Sequence, residues 1–327
     1  LVSLVETRYV AAEVTGNPSV LRDADGRPYF GKPSVFVSYA WRKGFSDVVA
    51  ALQGIVGSND FVWCDIFVIA QCNHTPEAKA NNEEDIKAFD AGDVVAACER
   101  LCLVVVPWED PHVFGRIWCL REVHMAIEAE KEIRLVMPPR EADRFLELLV
   151  YDFDSIELAV SKIDVRNAQA MKEEDRERIL RQIEESIGFV EVNKRIIGEL
   201  RKWLARESKT ALDILPRSER VTSTLINNYA MLIQNQGKFD DAEPLYREAL
   251  EGFSATLGDR HPDTLSSINN YAVLLKDQGK LDDAEQLFRE ALDARRATLG
   301  DQPPDTLQSI NNYALLLQDQ GKLDDAE

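Results

Sequence analysis

With 327 residues and 45% apolar side chains, the chain is long enough for about two domains with ordinary cores. Its formal net charge of −19 argues against nucleic acid as a partner, because a phosphate backbone selects a basic face. No run of about 18 apolar residues is present to span a bilayer, and no charged-then-apolar leader opens the sequence. No membrane partner is therefore expected. Leu1 is not an initiator methionine and Glu327 falls in mid-pattern, so both ends are expected to be truncated.

Residues 1–32 read as an N-terminal extension. From Ser34 to about Val150, short apolar runs alternate with helical patterns. Strands are expected at 34–39, 60–67, 101–107 and 133–138, and helices near 45–55, 85–100 and 114–130. This alternation predicts an α/β domain with a parallel sheet covered on both faces. In such sheets ligands bind at the carboxyl ends of the strands. Ser38 to Trp41 ends the first strand and Asp65 the second. Trp118 and Glu122, four apart, share one helix face. Cys64, Cys72, Cys98, Cys102 and Cys119 form an odd set without repeated CxxC spacing, which fits reduced, buried thiols in a cytoplasmic protein. Cys72 and His74 are half a zinc set with no second pair, so no metal is expected.

VFVSYAW, WCDIF and RIWCLREV in this region resemble three boxes of Toll/interleukin-1 receptor (TIR) domains. The resemblance covers roughly 32–150 and implies a flavodoxin-like domain over 33–165. Many such domains cleave the nicotinamide–ribose bond of NAD, while others only associate. The resemblance makes Glu122 the catalytic carboxylate, suited to an oxocarbenium-like ribose. It also makes Trp118, Trp41, Arg42, Ser38 and Asp65 the residues around the dinucleotide. NAD is then a candidate substrate, no cofactor is required, and self-association through this domain is implied. SYAW stands where several active members carry a basic pair, and 67–85 is longer and more polar than the usual loop.

Helical patterns follow at 140–149, 155–163, 173–187 and 190–205. A helical connector is expected over 166–220, with the boundary near Pro216.

From residue 221 the chain repeats. INNYA begins at Ile226, Ile268 and Ile310, a period of 42, and the two 28-residue blocks starting at Gly258 and Gly300 differ at five positions. Each unit reads as two helices. The first spans about 264–277, capped by Asp263 or Thr264 and ending near Gly279. The second carries the stripe Ala284, Leu287, Phe288, Ala291 and Leu292. One pair cannot bury its own stripe, so units must stack. The region has nine Lys and Arg against nineteen Asp and Glu, a net of −10, which favours basic or neutral partners.

Ile268, Tyr271, Ala272, Leu275, Gly279, Leu281, Ala284, Phe288 and Ala291 resemble the packing pattern of tetratricopeptide repeats (TPR). The 42-residue period with TLGxxHPDT is similar to the kinesin light chain variety. The resemblance implies an all-α TPR solenoid over 221–327, lacking its last second helix, that binds protein or peptide ligands in a groove lined by the first helices. In that register Asn227, Asn269 and Asn311, with Gln234, Lys276 and Gln318, would face the groove and hydrogen-bond a peptide backbone. Asn228, Asn270 and Asn312 would be structural. Three functional readings stay open: a signalling scaffold with an NAD-cleaving domain, a purely protein-binding scaffold, and a cargo adaptor similar to kinesin light chain.

Overall fold

The computed structural model describes residues 33–40, 45–57, 60–64, 91–108 and 110–322. These divide into two compact units. One holds the described residues up to Phe145 together with Ser155–Leu200, and the other holds Leu146–Asp154 with the chain from Arg201 onward. The expected connector, 166–220, is thus shared between them.

The first unit is built on a parallel sheet of β1 (Val35–Ser38), β2 (Val62–Trp63), β3 (Arg100–Val104) and β4 (Glu132–Val136), in the order β2-β1-β3-β4. Val35 pairs with Val62 on one side and with Arg100 on the other, and Arg100 pairs in turn with Glu132. Parallel strands must be joined by crossovers. Helices α1 (Phe45–Leu52), α2 (Ala91–Ala97) and α3 (Ile117–Glu128) stand between the strands in sequence. All four residues of β1 are buried, as a central strand covered on both faces demands. Val35, Val37 and Tyr39 pack with Val48, Ala51 and Leu52 on one face, and Phe36 stacks on Trp63 at 4.5 Å on the other. Asp60 ties the sheet edge together. It accepts from Ser34 Oγ and Gly57 N, each at 2.8 Å, and pairs with Arg100. Burial raises its carboxyl pKa, but these donors outweigh burial and hold it below the ordinary value.

The strands fall where alternation places them, each shorter than its apolar run. Helix α3 starts later than the expected 114, because 112–115 forms a 3-10 turn. Ile117 N then donates to Gln169 O at 3.0 Å, satisfying one of the first-turn donors. Helices α4 (Pro139–Tyr151), α5 (Phe153–Ser161), α6 (Glu173–Ser186) and α7 (Phe189–Ile214) follow. The last runs beyond the expected 205, since buried Ala211 and Leu212 continue its apolar stripe until Pro216. Cys64, Cys98, Cys102 and Cys119 are buried free thiols. Among the described residues no helix is long and apolar enough to cross a membrane.

The second unit contains the short α8 (Arg217–Arg220) and then the repeats: α9 (Thr224–Gln234), α10 (Phe239–Leu257), α11 (Pro262–Asp277), α12 (Leu281–Leu299) and α13 (Pro304–Asp319). Gly237, Gly279 and Gly321 take φ of 76°, 78° and 75° at the end of each first helix, a left-handed conformation that glycine adopts without a Cβ clash. Helix α11 begins at Pro262. Its N-cap is His261, whose Nδ1 accepts from Asp263 N at 3.3 Å, so neither Asp263 nor Thr264 is the cap. Ala230, Ala242, Ala249, Ala272, Ala284 and Ala291 are all fully buried, which lets adjacent helices approach. Large side chains fill the intervening space, with Tyr246, Phe253 and Phe288 at most 1% exposed.

Candidate functional site

The second-helix faces are consumed by packing, whereas one stripe of each first helix stays accessible. On α11 this stripe is Asp263, Ser266, Asn270, Val273 and Asp277, none of them buried, at the i, i+3, i+4, i+7 spacing of one helix face. The same positions on α9 are Thr224, Asn228, Met231 and Asn235, and on α13 Gln308, Asn312, Leu315 and Asp319. A row of amides, Asn228, Asn270 and Asn312, therefore runs beside an apolar row, Met231, Val273 and Leu315. Leu315 is 43% exposed. Amides offer donors and acceptors to an extended backbone, and the apolar row offers area to bury.

This register is one residue away from the expected one. Asn227 and Asn269 are only 6% and 3% exposed. Asn227 Nδ2 donates to Ser267 Oγ at 2.6 Å, and Asn269 Oδ1 accepts from Asn312 Nδ2 at 3.2 Å, so both lie in the seam between successive first helices. Gln234, 7% exposed, donates to Asp277 Oδ2 at 2.7 Å and accepts from Tyr246 Oη at 2.9 Å. Lys276 Nζ reaches Asp319 Oδ2 at 3.4 Å and forms the same strut one repeat later. Asn311 and Gln318 are exposed on α13, the last first helix described. The physical reason is rotation. Neighbouring positions on a helix differ by about 100°, and the stacking of units decides which of two adjacent asparagines meets the next helix.

A second recurring network passed unnoticed in the sequence. Glu243 Oε2 accepts from Gln278 Nε2 and Lys280 Nζ, both at 3.0 Å, and Oε1 accepts from Arg247 Nη2 at 2.7 Å and Tyr271 Oη at 3.3 Å. The side-chain bonds from Gln278 and Lys280 outweigh burial and hold its carboxyl down to about 2. Glu285, 42 residues on, accepts from Arg289 and Lys322, with its carboxyl likewise lowered by Lys322 and Gln320. Each second helix thus grips the Gln-Gly-Lys turn of the next unit. The recurrence of that tripeptide at 278–280 and 320–322 was the available signal.

In the first unit, Ser38 ends β1 fully buried, with no partner for its Oγ. Arg116 Nη1 and Cys119 Sγ both approach Tyr39 O at 3.5 Å, so the first turn of α3 meets the carboxyl end of that strand. Trp118 and Glu122 are half-buried on α3. The guanidinium carbons of Arg121 and Arg178 lie over the Trp118 ring, 5.7 and 5.4 Å from its centroid. Trp41, Arg42 and Asp65 lie outside the described residues.

A family model for the tetratricopeptide repeat matches residues 221–297 and 266–327. The C-terminal array is built of tetratricopeptide repeats. Residues 33–165 lie outside that match. No curated protein matches the chain. Among solved structures, BtubC (BKLC) from P. vanneervenii is similar at 22% identity and a TM-score of 0.36, covering 65% of this chain and 84% of that one. Two structures of a Podosopora anserina kinesin light chain with nearly identical TPR-like repeats are also similar. One has 16% identity and a TM-score of 0.34, covering 63% of this chain and 89% of that one. The other has 17% identity and a TM-score of 0.32, covering 65% and 90%.

Proposed function

We propose that this chain is a protein-interaction scaffold that captures a basic or neutral extended peptide on the open face of its tetratricopeptide first helices. The observation that carries this reading is the doubled row on that face: amides at Asn228 and Asn270, and apolar side chains at Met231, Val273 and Leu315. The adjacent positions are locked into stacking, so the rows present side chains with little structural duty. Peptide display on the full chain tests it. Selected peptides are expected to lose at least about tenfold in affinity, the equivalent of about 1.4 kcal/mol, when Asn228, Met231 and Asn270 are changed together to Ala. Undiminished affinity would move the site elsewhere.

A second element of the proposal gives the sheet unit an output, cleavage of NAD with Glu122 as the carboxylate and clustering through self-association as its control. Its support is the TIR resemblance and the meeting of α3 with the carboxyl end of β1 beside Ser38, the edge where parallel sheets bind ligands. In this reading Trp118, already beneath two guanidinia, positions α3 rather than holding the base. Nicotinamide release by the full chain, abolished by Glu122→Ala, is the expected result. Absence of release from folded, clustered protein would leave the scaffold reading alone.

A further inference from the structure

Within the second unit, a cavity of about 270 Å³ opens between the Tyr151–Asp154 turn and the start of the first-helix face. It is below the roughly 300 Å³ at which pockets begin to hold drug-sized ligands, so its size suits one side chain better than a nucleotide. Thr224 Oγ1 donates to Val150 O at 3.2 Å, fixing the turn against α9. We infer that this cavity receives the cationic side chain, arginine or lysine, of a peptide lying along the first helices, a deepening that rests on the scaffold reading above.

Four features of the lining converge on a cation. Asp152 and Asp154 stand on one wall and Asp263 on the other, and among the described lining residues none is basic. Asn227 also lines the cavity and is 6% exposed. Its amide nitrogen is used by Ser267, yet its Oδ1 has no hydrogen-bond partner. A buried acceptor without a partner carries a desolvation penalty that a ligand N–H removes. Tyr151, 86% exposed, supplies an aromatic ring at the mouth, the surface on which a guanidinium or ammonium settles. Asn228 and Asn270 continue from the cavity into the amide row, where the peptide backbone would run. Two other groups bear on the charge. His261 Nδ1 lies 3.6 Å from Asp263 Oδ2, and Arg295 sits behind the wall, donating to Ser266 Oγ at 3.0 Å. Arg295 is 3% exposed, and two of its other donors are spent on Asp305 O and Ser309 Oγ, so the carboxylates dominate the accessible lining.

The test uses the full chain and three fluorescent Gly/Ser peptides that differ only in a central Arg-Arg, Glu-Glu or Leu-Leu pair, read by anisotropy. The arginine peptide is expected to bind about tenfold tighter than the other two. The double change Asp154→Asn with Asp263→Asn should remove that preference. Tyr151→Ala, at a position too exposed to affect folding, should weaken the arginine peptide several-fold. Asp259→Asn with Asp293→Asn, the same charge change at exposed sites outside the cavity, should leave it unaltered. Equal weakening by both aspartate pairs would mean diffuse charge attraction and overturn the inference. Preference for the leucine or glutamate peptide, still sensitive to Asn228→Ala and Asn270→Ala, would overturn it while leaving the first-helix face as the binding site. Failure of all three peptides to bind would overturn the inference, and failure of peptide display as well would take the scaffold reading with it.

Discussion

Glu243 links two units through one carboxylate, and its environment makes the linkage pH-dependent. Its folded value, about 2, lies below the ordinary 4.5. The stability it contributes is therefore full above about pH 4.5 and is lost as pH falls from there toward 2. Glu243→Gln is expected to lower array stability by about 1.5–3 kcal/mol at neutral pH, the range for hydrogen bonds to a charged group, and to flatten the loss below pH 4.5. Urea titration across that range checks both. His124 behaves in the opposite charge sense with the same outcome. It is 7% exposed, and burial lowers its pKa below the ordinary 6.5, so the folded sheet unit keeps it neutral while the unfolded chain gains a proton. Stability is therefore expected to decline as pH drops through 6.5, and His124→Phe should remove that step from a pH series of melts. At this scale the sequence was least informative. A glutamate or histidine on an amphipathic helix carries no mark of what will pack against it, and Arg178, from a different helix, could not be placed over Trp118 by spacing alone.

At the scale of elements, adjacent asparagines have different duties. Asn227→Ala and Asn269→Ala are each expected to lower the melting midpoint, by about 1 kcal/mol in stability, because each removes a buried inter-helix hydrogen bond. Asn228→Ala should leave the melt nearly unchanged and act on binding. The sequence showed the two-helix unit, the 42-residue period and the packing stripe, since these depend on local periodicity. It could not show which asparagine faces the next helix, because that depends on how units stack. Departures from the repeat are also informative. Gly252 stands where the next unit has Ala294, and a Cβ there would lie 2.2 Å from Val221 O. Gly252→Ala is accordingly expected to destabilise the array by about 1–3 kcal/mol, the usual range for overpacking, as measured by chemical denaturation. Phe253 and Arg295 occupy one repeat position and are both buried. The arginine reaches Ser266, Ser309 and Asp305 where the phenylalanine simply fills space.

For the whole molecule, a parallel sheet unit and a tetratricopeptide array on one chain couple a domain with a ligand-accepting strand edge to a surface for peptides. The α/β pattern and the array were both legible, because alternation of short apolar runs and exact repetition survive without tertiary information. The use made of the sheet edge was not, since the segments carrying Trp41, Arg42 and Asp65 lie outside the described residues. The central claim is that the first-helix face is where partners bind. Amide hydrogen exchange of the full chain, with and without a peptide selected on it, tests this most directly. Added protection is expected in 224–231 and 263–277, with the second helices 239–257 and 281–299 unchanged. Protection confined to those second helices, or to the sheet unit, would contradict it.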